Sequence, residues 1–481
     1  MSKSEAPLMV TISGIRGIAG ESLTEDVVRM YVRAFADIQR KKDKENRLVV
    51  VGRDSRVSGP WIRDCAVETL QRCGMDVEDC GIVPTPTVQY MVQRRQAVGG
   101  LIITSSHNPK PWNGLKFVDT DGLFLAPDRC TTMFAHAKEV GGEPFSCYEK
   151  TLGALRVLEK DEAVNRQVAE IMSLPYVDPA AVRAEKLKVC LDTVCGAGGP
   201  AMTKVLETLG CEVVPLNIET TGEFPHTPEP IPENLGDLCR AVVENKADLG
   251  IAVDPDVDRC VLIGEDGKPL VEEYTLALAV EFILGYVGRR GVVCKNLSSS
   301  RALDDIAAKY PPSTVVATAV GEINVAKKME ELHAVIGGEG NGGVMLPDIH
   351  IGRDAPVAAT LALMCFARWR AEQRQRGTGK SKISELKASL PQYEIVKTKI
   401  ETKGLNPALA LETLKNEYLA RGGEFKVSTL DGLHISGSDW WAHIRLSNTE
   451  PIMRVICEAP TRDAAAEKCQ HFLDRLAQFK A

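Results

Sequence analysis

No two of the 14 cysteines stand at Cys-x-x-Cys spacing, which removes the usual zinc-ribbon and thioredoxin-like dithiol signatures. A chain of 481 residues needs no disulfide staples, so the thiols read as reduced, mostly buried side chains of a cytosolic (cytoplasmic) protein. Residues 1–7 are polar and hold no apolar signal core. The longest apolar stretches, 274–287 and 356–367, are shorter than the roughly 20 residues a bilayer requires, and the first contains Glu281, so no membrane helix is expected. Excess positive charge is absent too: the net charge is −7, and such a surface repels nucleic acid and anionic membranes. An anionic substrate therefore needs a local basic pocket.

What remains is a globular composition, 44% apolar and 26% charged. At about 100–200 residues per domain, the length suggests three or four domains. One strand–turn–helix unit recurs three times. The first runs from Leu48-Val49-Val50-Val51 through the turn Gly52-Arg53-Asp54-Ser55 into a helix over 60–73. The second has a strand over 187–191, the turn Cys195-Gly196-Ala197-Gly198-Gly199, a helix over 200–209 and a strand over 212–216. The third has strands over 292–294 and 314–318 around a helix near 301–309. Apolar strands alternating with helices predict parallel β-α-β units covered on both faces. The last ~85 residues read instead as a smaller α+β domain, with strands over 443–446 and 453–456 and a helix over 462–479. Linkers are expected near 155–162, 267–273 and 373–382.

Four motifs carry chemistry. Thr104-Ser105-Ser106-His107-Asn108-Pro109 follows the apolar run Leu101-Ile102-Ile103. A strand ending there presents a hydroxyl, an imidazole and an amide on one tight loop, where open α/β sheets bind ligands, and makes a serine a candidate nucleophile. Asp254-Pro255-Asp256-Val257-Asp258-Arg259 lies between two apolar runs. Its three carboxylates converge on one hard cation if the backbone curls at Pro255, and oxygen ligands suit Mg²⁺. The glycine and distal glutamate of an EF-hand are missing. The third motif, Gly337-Gly338-Glu339-Gly340-Asn341-Gly342-Gly343, follows a predicted strand Ala334-Val335-Ile336, and offers Glu339 to sugar hydroxyls. In the fourth, Arg445-Leu446-Ser447-Asn448-Thr449-Glu450-Pro451, the guanidinium, two hydroxyls, an amide and backbone N–H groups suit a phosphate. Arg16, between Gly14 and Gly17, and Lys116, just after the serine loop, add cations. Together these describe phosphoryl transfer on a hydroxylated, phosphorylated small molecule.

The four motifs, in this order, resemble the phosphoserine, metal, sugar-binding and phosphate-binding loops of the α-D-phosphohexomutase superfamily, across nearly the whole chain. The resemblance implies an α/β fold of three related domains with mixed sheets plus a C-terminal α+β domain around a central active-site cleft. The corresponding boundaries are 1–158, 159–270, 271–385 and 386–481. It implies reversible exchange of a hexose 6-phosphate and 1-phosphate through a phosphoserine on Ser106 and a 1,6-bisphosphate that also serves as activator. Mg²⁺ would sit on Asp254, Asp256, Asp258 and an oxygen on Ser106. Lys116, Arg16 and His107, whose imidazole ordinarily titrates near neutral pH, would assist at the serine. Arg259, Glu339, Asn341, Arg445, Ser447, Asn448 and Thr449 would bind substrate. The expected partner is a hexose phosphate, with room for a homodimer. In several relatives the sugar loop reads Gly-Glu-x-Ser-Gly-His; here Asn341 and Gly343 stand at the serine and histidine positions, and His350 is a candidate for the missing histidine. The loop, with His350-Ile351-Gly352-Arg353-Asp354 after it, looks closer to archaeal-type phosphoglucosamine mutases, so glucosamine phosphate is favoured while mannose and glucose phosphates stay open. A phosphoserine phosphatase and a non-catalytic sugar-phosphate binder are the competing readings.

Overall fold

The computed structural model describes residues 7–43, 45–141, 152–447 and 451–480. It divides into two units, Met1–Gly288 with Asn341–Lys387, and Arg289–Gly340 with Ala388–Ala481.

The first unit opens with strands β1 (Met9–Thr11), β2 (Gly14–Ile18), β3 (Leu48–Arg53), β4 (Asp76–Ile82), β5 (Gly99–Ile103), β6 (Trp112–Val118) and β7 (Leu155–Val157). They form one mixed sheet in the order β1-β2-β6-β5-β3-β4-β7. β3 runs parallel to β4 and β5, while β6 pairs antiparallel with β5 and β2. All five residues of β5 are buried, as an unbroken apolar run in a covered sheet demands. The helix Glu25–Lys42 starts on a Thr24 cap and lays Val28, Val32 and Phe35 on the core, where the Phe35 ring lies 5.1 Å from that of Phe117.

The second sheet holds β8 (Lys188–Asp192), β9 (Glu212–Leu216), β10 (Leu249–Val253) and β11 (Cys260–Gly264), ordered β11-β10-β8-β9. β8, β9 and β10 are parallel, and β11 turns back antiparallel on β10. Val253 pairs with Cys260, so the aspartate motif is the loop of a hairpin whose strands are fully buried.

The second unit begins with three parallel strands, β12 (Val292–Asn296), β13 (Thr314–Thr318) and β14 (Ile336–Glu339), with β12 in the middle. The chain then re-enters the first unit through β15 (Gly343–Met345) and the long helix Ala355–Gln375. It ends in the second unit with β16 (Glu394–Glu401), β17 (Lys426–Ser428), β18 (Leu433–Ser436), β19 (Trp441–Leu446) and β20 (Ile452–Ala459), antiparallel in the order β16-β20-β19-β18-β17. Helices Pro407–Leu419 and Arg462–Ala477 close its core around Leu414, Tyr418 and Phe472.

Two expectations need correction. The strand expected at 334–336 starts at Ile336 and runs through Glu339. The glycines read as an open loop, yet Gly337 is packed: a Cβ there would lie 2.5 Å from Met329 Sδ and 2.7 Å from the Cys294 carbonyl oxygen. The linker expected at 155–162 instead opens with β7, whose Leu155 pairs with Val77 on β4, and leads into the helix Glu162–Met172. That pairing gives its backbone groups partners on the sheet edge. All 13 cysteines of the described residues are free thiols, and no helix among those residues is long and apolar enough to cross a membrane.

Truncating Phe35 to alanine removes a fully buried ring and is expected to lower stability by about 3–5 kcal/mol in urea unfolding.

Candidate active site

Ser106 sits in the loop after β5, beside the loop after β3, because β3 and β5 are parallel neighbours ending at the same edge. Its φ of 50° is left-handed, a costly conformation for a serine. Two interactions hold it. Thr104 Oγ1 accepts from the Ser106 N–H at 2.9 Å and donates to Asp54 Oδ2 at 2.6 Å. Arg56, 1% exposed, grips the loop from below. Its Nη2 donates to the carbonyls of Ser106 and Asn108 at 2.6 Å each, its Nη1 to those of Pro109 and Trp112 at 2.9 and 2.8 Å, and its Nε to Asp54 at 3.1 Å. Arg16 reaches the same loop, donating to Asn108 Oδ1 at 2.9 Å.

The aspartate loop meets this serine: Ser106 Oγ donates to Asp254 Oδ2 at 3.2 Å. The backbone curls at Val257, with φ 63°, and not at Pro255, where the sequence placed the bend. The curl is closed by the Val257 N–H on the Asp254 carbonyl, while the Pro255 carbonyl is occupied by the Ala197 N–H. It brings one oxygen from each of Asp254, Asp256 and Asp258 within 4.8 Å of one another, all buried. Lys116 Nζ donates to Asp256 Oδ2 at 2.7 Å and lies 3.7 Å from Asp258. The Thr85 hydroxyl donates to Asp256 Oδ2 at 2.8 Å, and Arg353 to Asp258 Oδ2 at 2.6 Å. The remaining oxygens, Oδ1 of Asp256 and of Asp258, are buried without a hydrogen-bond partner. Clustered buried carboxylates that keep unpartnered oxygens suit a hard divalent cation, so these three residues could hold Mg²⁺.

The electrostatics agree. Burial, then the charges of Asp258 and Asp256, push the Asp254 carboxyl well above its usual range. Burial works the same way on Asp256, but the Lys116 charge and the hydrogen bonds from Lys116 and Thr85 overcome it and hold this carboxyl well below. A bound cation would stabilise all three as carboxylates. His107 places Nδ1 3.3 Å from Ser106 Oγ. Its expected titration near neutrality is corrected: burial, then the Arg259 and Arg16 charges, hold the imidazolium down to about 2. Arg259 donates its backbone N–H to Asp254 Oδ1 at 3.2 Å, with its Nε 3.8 Å from Asp258. Asn341, also in this unit, accepts from the Gly343 N–H at 3.3 Å. His350, the candidate for the missing histidine, is wholly buried with Nε2 2.9 Å from Asp354.

In the second unit, Glu339 ends β14 with Oε1 accepting from Asn296 Nδ2 at 2.7 Å and the Gly321 N–H at 3.2 Å. The following turn is tied by the Gly340 N–H to Ser299 Oγ at 2.8 Å. Arg445 lies near the end of β19, opposite Arg454 on β20, and burial lowers its pKa. Ser447 closes the β19–β20 turn through its N–H on the Ile452 carbonyl. Asn448 and Thr449 lie outside the described residues.

Four residues of the first-unit site went unassigned in the sequence: Asp54, Arg56, Thr85 and Arg353. The turn after β3 was visible, and its adjacency to the serine strand was the available signal; that its charges are buried was not. Replacing Arg56 with methionine strands the Asp54 carboxylate and four carbonyls, and is expected to cost about 3–5 kcal/mol in chemical unfolding.

Four family profiles match the chain in succession. Those described as phosphoglucomutase/phosphomannomutase alpha/beta/alpha domains I, II and III cover residues 9–141, 167–267 and 272–393, and the C-terminal domain covers 398–476. A Thermococcus kodakarensis protein named phosphoglucomutase/phosphomannomutase is 36% identical over 94% of this chain and 95% of its own. A Methanopyrus kandleri protein named "Probable phosphoglucosamine mutase" is 33% identical over 96% of both. A crystal structure of a phosphoglucomutase/phosphomannomutase family protein from Burkholderia thailandensis covers 98% of both chains with a TM-score of 0.80 at 26% identity. A serine, an aspartate triad and a lysine gathered on two neighbouring sheets are thus accompanied by end-to-end similarity, and the chain belongs to the phosphoglucomutase/phosphomannomutase family of α-D-phosphohexomutases.

Proposed function

We propose that the chain interconverts glucosamine 6-phosphate and glucosamine 1-phosphate through a phosphoserine on Ser106 and a 1,6-bisphosphate intermediate. The observation that carries the reading is Ser106 Oγ held 3.2 Å from Asp254 within a three-carboxylate cluster that also binds Lys116. A hydroxyl oxygen of the bound sugar attacks the phosphorus; the bond from phosphorus to Ser106 Oγ breaks, and the serine oxygen takes up the proton released by the hydroxyl. After the bisphosphate reorients, Ser106 Oγ attacks the other phosphorus; the bond from that phosphorus to the sugar oxygen breaks, the sugar oxygen takes up the serine proton, and Ser106 regains a phosphoryl group, so no phosphate is released. Asp254, Asp256 and Asp258 would hold Mg²⁺ with an oxygen on Ser106, and the ion would neutralise charge on the transferred group. Lys116 and Arg16 stabilise that group; burial lowers the Arg16 pKa, yet a guanidinium keeps its charge, which makes Arg16 an electrostatic partner rather than a base. His107, neutral, orients the loop. Glu339 reads the sugar hydroxyls, Arg445, Ser447, Asn448 and Thr449 hold the non-reacting phosphate, and Asn341 and Arg259, the latter beside the metal loop, contribute to substrate binding. The four domains carrying these loops are 1–158, 159–270, 271–385 and 386–481.

The glucosamine preference is supported by the loop Gly340-Asn341-Gly342-Gly343 and by the name of the Methanopyrus relative. The Thermococcus relative's name keeps glucose and mannose phosphates as the second reading.

Phosphorus NMR with Mg²⁺ and catalytic glucose 1,6-bisphosphate tests this on glucosamine, mannose and glucose 6-phosphates in turn. A 1-phosphate signal growing fastest from glucosamine 6-phosphate is the expected result. Faster growth from another sugar moves the specificity, and free phosphate alone means a phosphatase. Ser106→Ala is expected to abolish turnover while still binding the bisphosphate by calorimetry; retained turnover removes Ser106 from the mechanism.

A further inference from the structure

Gly343 opens β15, and the space where its side chain would lie is already filled. A Cβ there would stand 2.3 Å from Cδ and 2.7 Å from Cγ of Arg353. The arginine stem runs through this gap, and its guanidinium reaches the aspartate loop, where Nη2 donates to Asp258 Oδ2 at 2.6 Å. One oxygen of Asp258 is thereby tied down while the other, Oδ1, is left buried and without a hydrogen-bond partner.

The residue after it anchors Arg353. Asp354 caps the helix Ala355–Gln375 by accepting from the Val357 N–H at 2.8 Å. Its other oxygen accepts from Gln167 Nε2 at 2.6 Å and faces His350 Nε2 at 2.9 Å. Gln167 in turn accepts from the Thr87 hydroxyl. Thr87 lies two residues beyond Thr85, on the same helix, and Thr85 holds Asp256. One buried network therefore anchors both the threonine that orients Asp256 and the arginine that orients Asp258.

We propose that Arg353 is a positioning residue of the metal loop, and that position 343 must be glycine because the Arg353 stem occupies its side-chain space. The proposal rests on reading Asp254, Asp256 and Asp258 as a metal site. A planar guanidinium fixes the rotation of the carboxylate it binds, which a flexible ammonium does not. With Oδ2 fixed, the Asp258 carboxylate is held against rotation, and one of its oxygens stays within 4.8 Å of oxygens of Asp254 and Asp256.

The test is Mn²⁺ binding to the purified full chain, followed by electron paramagnetic resonance without substrate. Arg353→Ala is expected to weaken Mn²⁺ about tenfold or more, the usual effect of losing a partner that orients a metal ligand. Gly343→Ala is expected to weaken it comparably by displacing the arginine stem, and to add nothing in the Arg353→Ala background. Arg353→Lys is expected to recover only part of the affinity. Unchanged affinity in Arg353→Ala, additive losses in the double variant, or full recovery with lysine each overturn the proposal. Should Arg353→Ala not fold, Gly343→Ala and Arg353→Lys carry the test. If the wild-type chain turns over no hexose phosphate while this binding pattern holds, the proposed function fails and the positioning role stands; if the wild-type chain binds no Mn²⁺, the positioning role fails with the metal site.

Discussion

A guanidinium taken out of water must have every donor matched, and Arg56 has all five engaged: one on Asp54 and four on backbone carbonyls of the segment from Ser106 to Trp112. The constraint works in both directions. The arginine is stable when buried because the loop turns its carbonyls inward, and the loop takes that shape because the carbonyls have a buried cation to meet. With its carbonyls pointing in, the loop turns the Ser106 hydroxyl outward, toward Asp254. The Ser106 hydroxyl is thus aimed by the backbone of its own loop, and that backbone is set by a charge on the neighbouring strand end.

The same logic explains where strain is stored. Ser106 and Val257, one in each loop, both have positive φ. A left-handed β-branched residue costs of order 1–3 kcal/mol and persists only where its surroundings over-determine it. Val257 is fully buried, its N–H is bonded to Asp254, and its carbonyl accepts from the Ala355 N–H. The strained turn is what lets three alternate aspartates face inward together, since alternating residues of a plain strand would share a face without converging.

What the sequence disclosed follows from range. Apolar runs placed β5, β8 and β10 within a residue or two, since burial on both faces of a sheet leaves an unbroken local signature; β9 and β13, though partly exposed, were placed by the same kind of local run. The serine and the aspartates were legible because each motif is contiguous. Hidden were the contacts made over long separations: Thr85 to Asp256 across 171 residues, and Arg353 to Asp258 across 95. A lone arginine or threonine has no local pattern that distinguishes a buried hydrogen bond from a solvated surface. The glycines of 337–343 are a related case. They are expected in a sugar-binding loop, whereas Gly337 and Gly343 lie in strands, where neighbouring atoms already stand in the place of a side chain.

Charge ties the site together. The chain is acidic overall, so an anionic substrate needs a locally basic place, and the first unit supplies one. Arg16, Lys116, Arg259 and Arg353 converge on the three aspartates, with Glu229 beside Arg259 as a fourth carboxylate. A divalent ion would make the local charge positive and prepare the site for a phosphoryl dianion. The depressed basicity of His107 follows first from burial and then from the Arg259 and Arg16 charges, beside which an imidazolium would add another positive charge. A neutral ring beside Ser106 can still exchange a hydrogen bond with the hydroxyl, and which nitrogen carries the proton then depends on what each one faces. On the far side that is Glu229, whose Oε1 lies 3.9 Å from Nε2 and 3.6 Å from Arg259. At that distance Glu229 is beyond hydrogen-bond reach, and the Ser106 hydroxyl has already given its one proton to Asp254, so the neutral ring donates from Nδ1 to the serine oxygen.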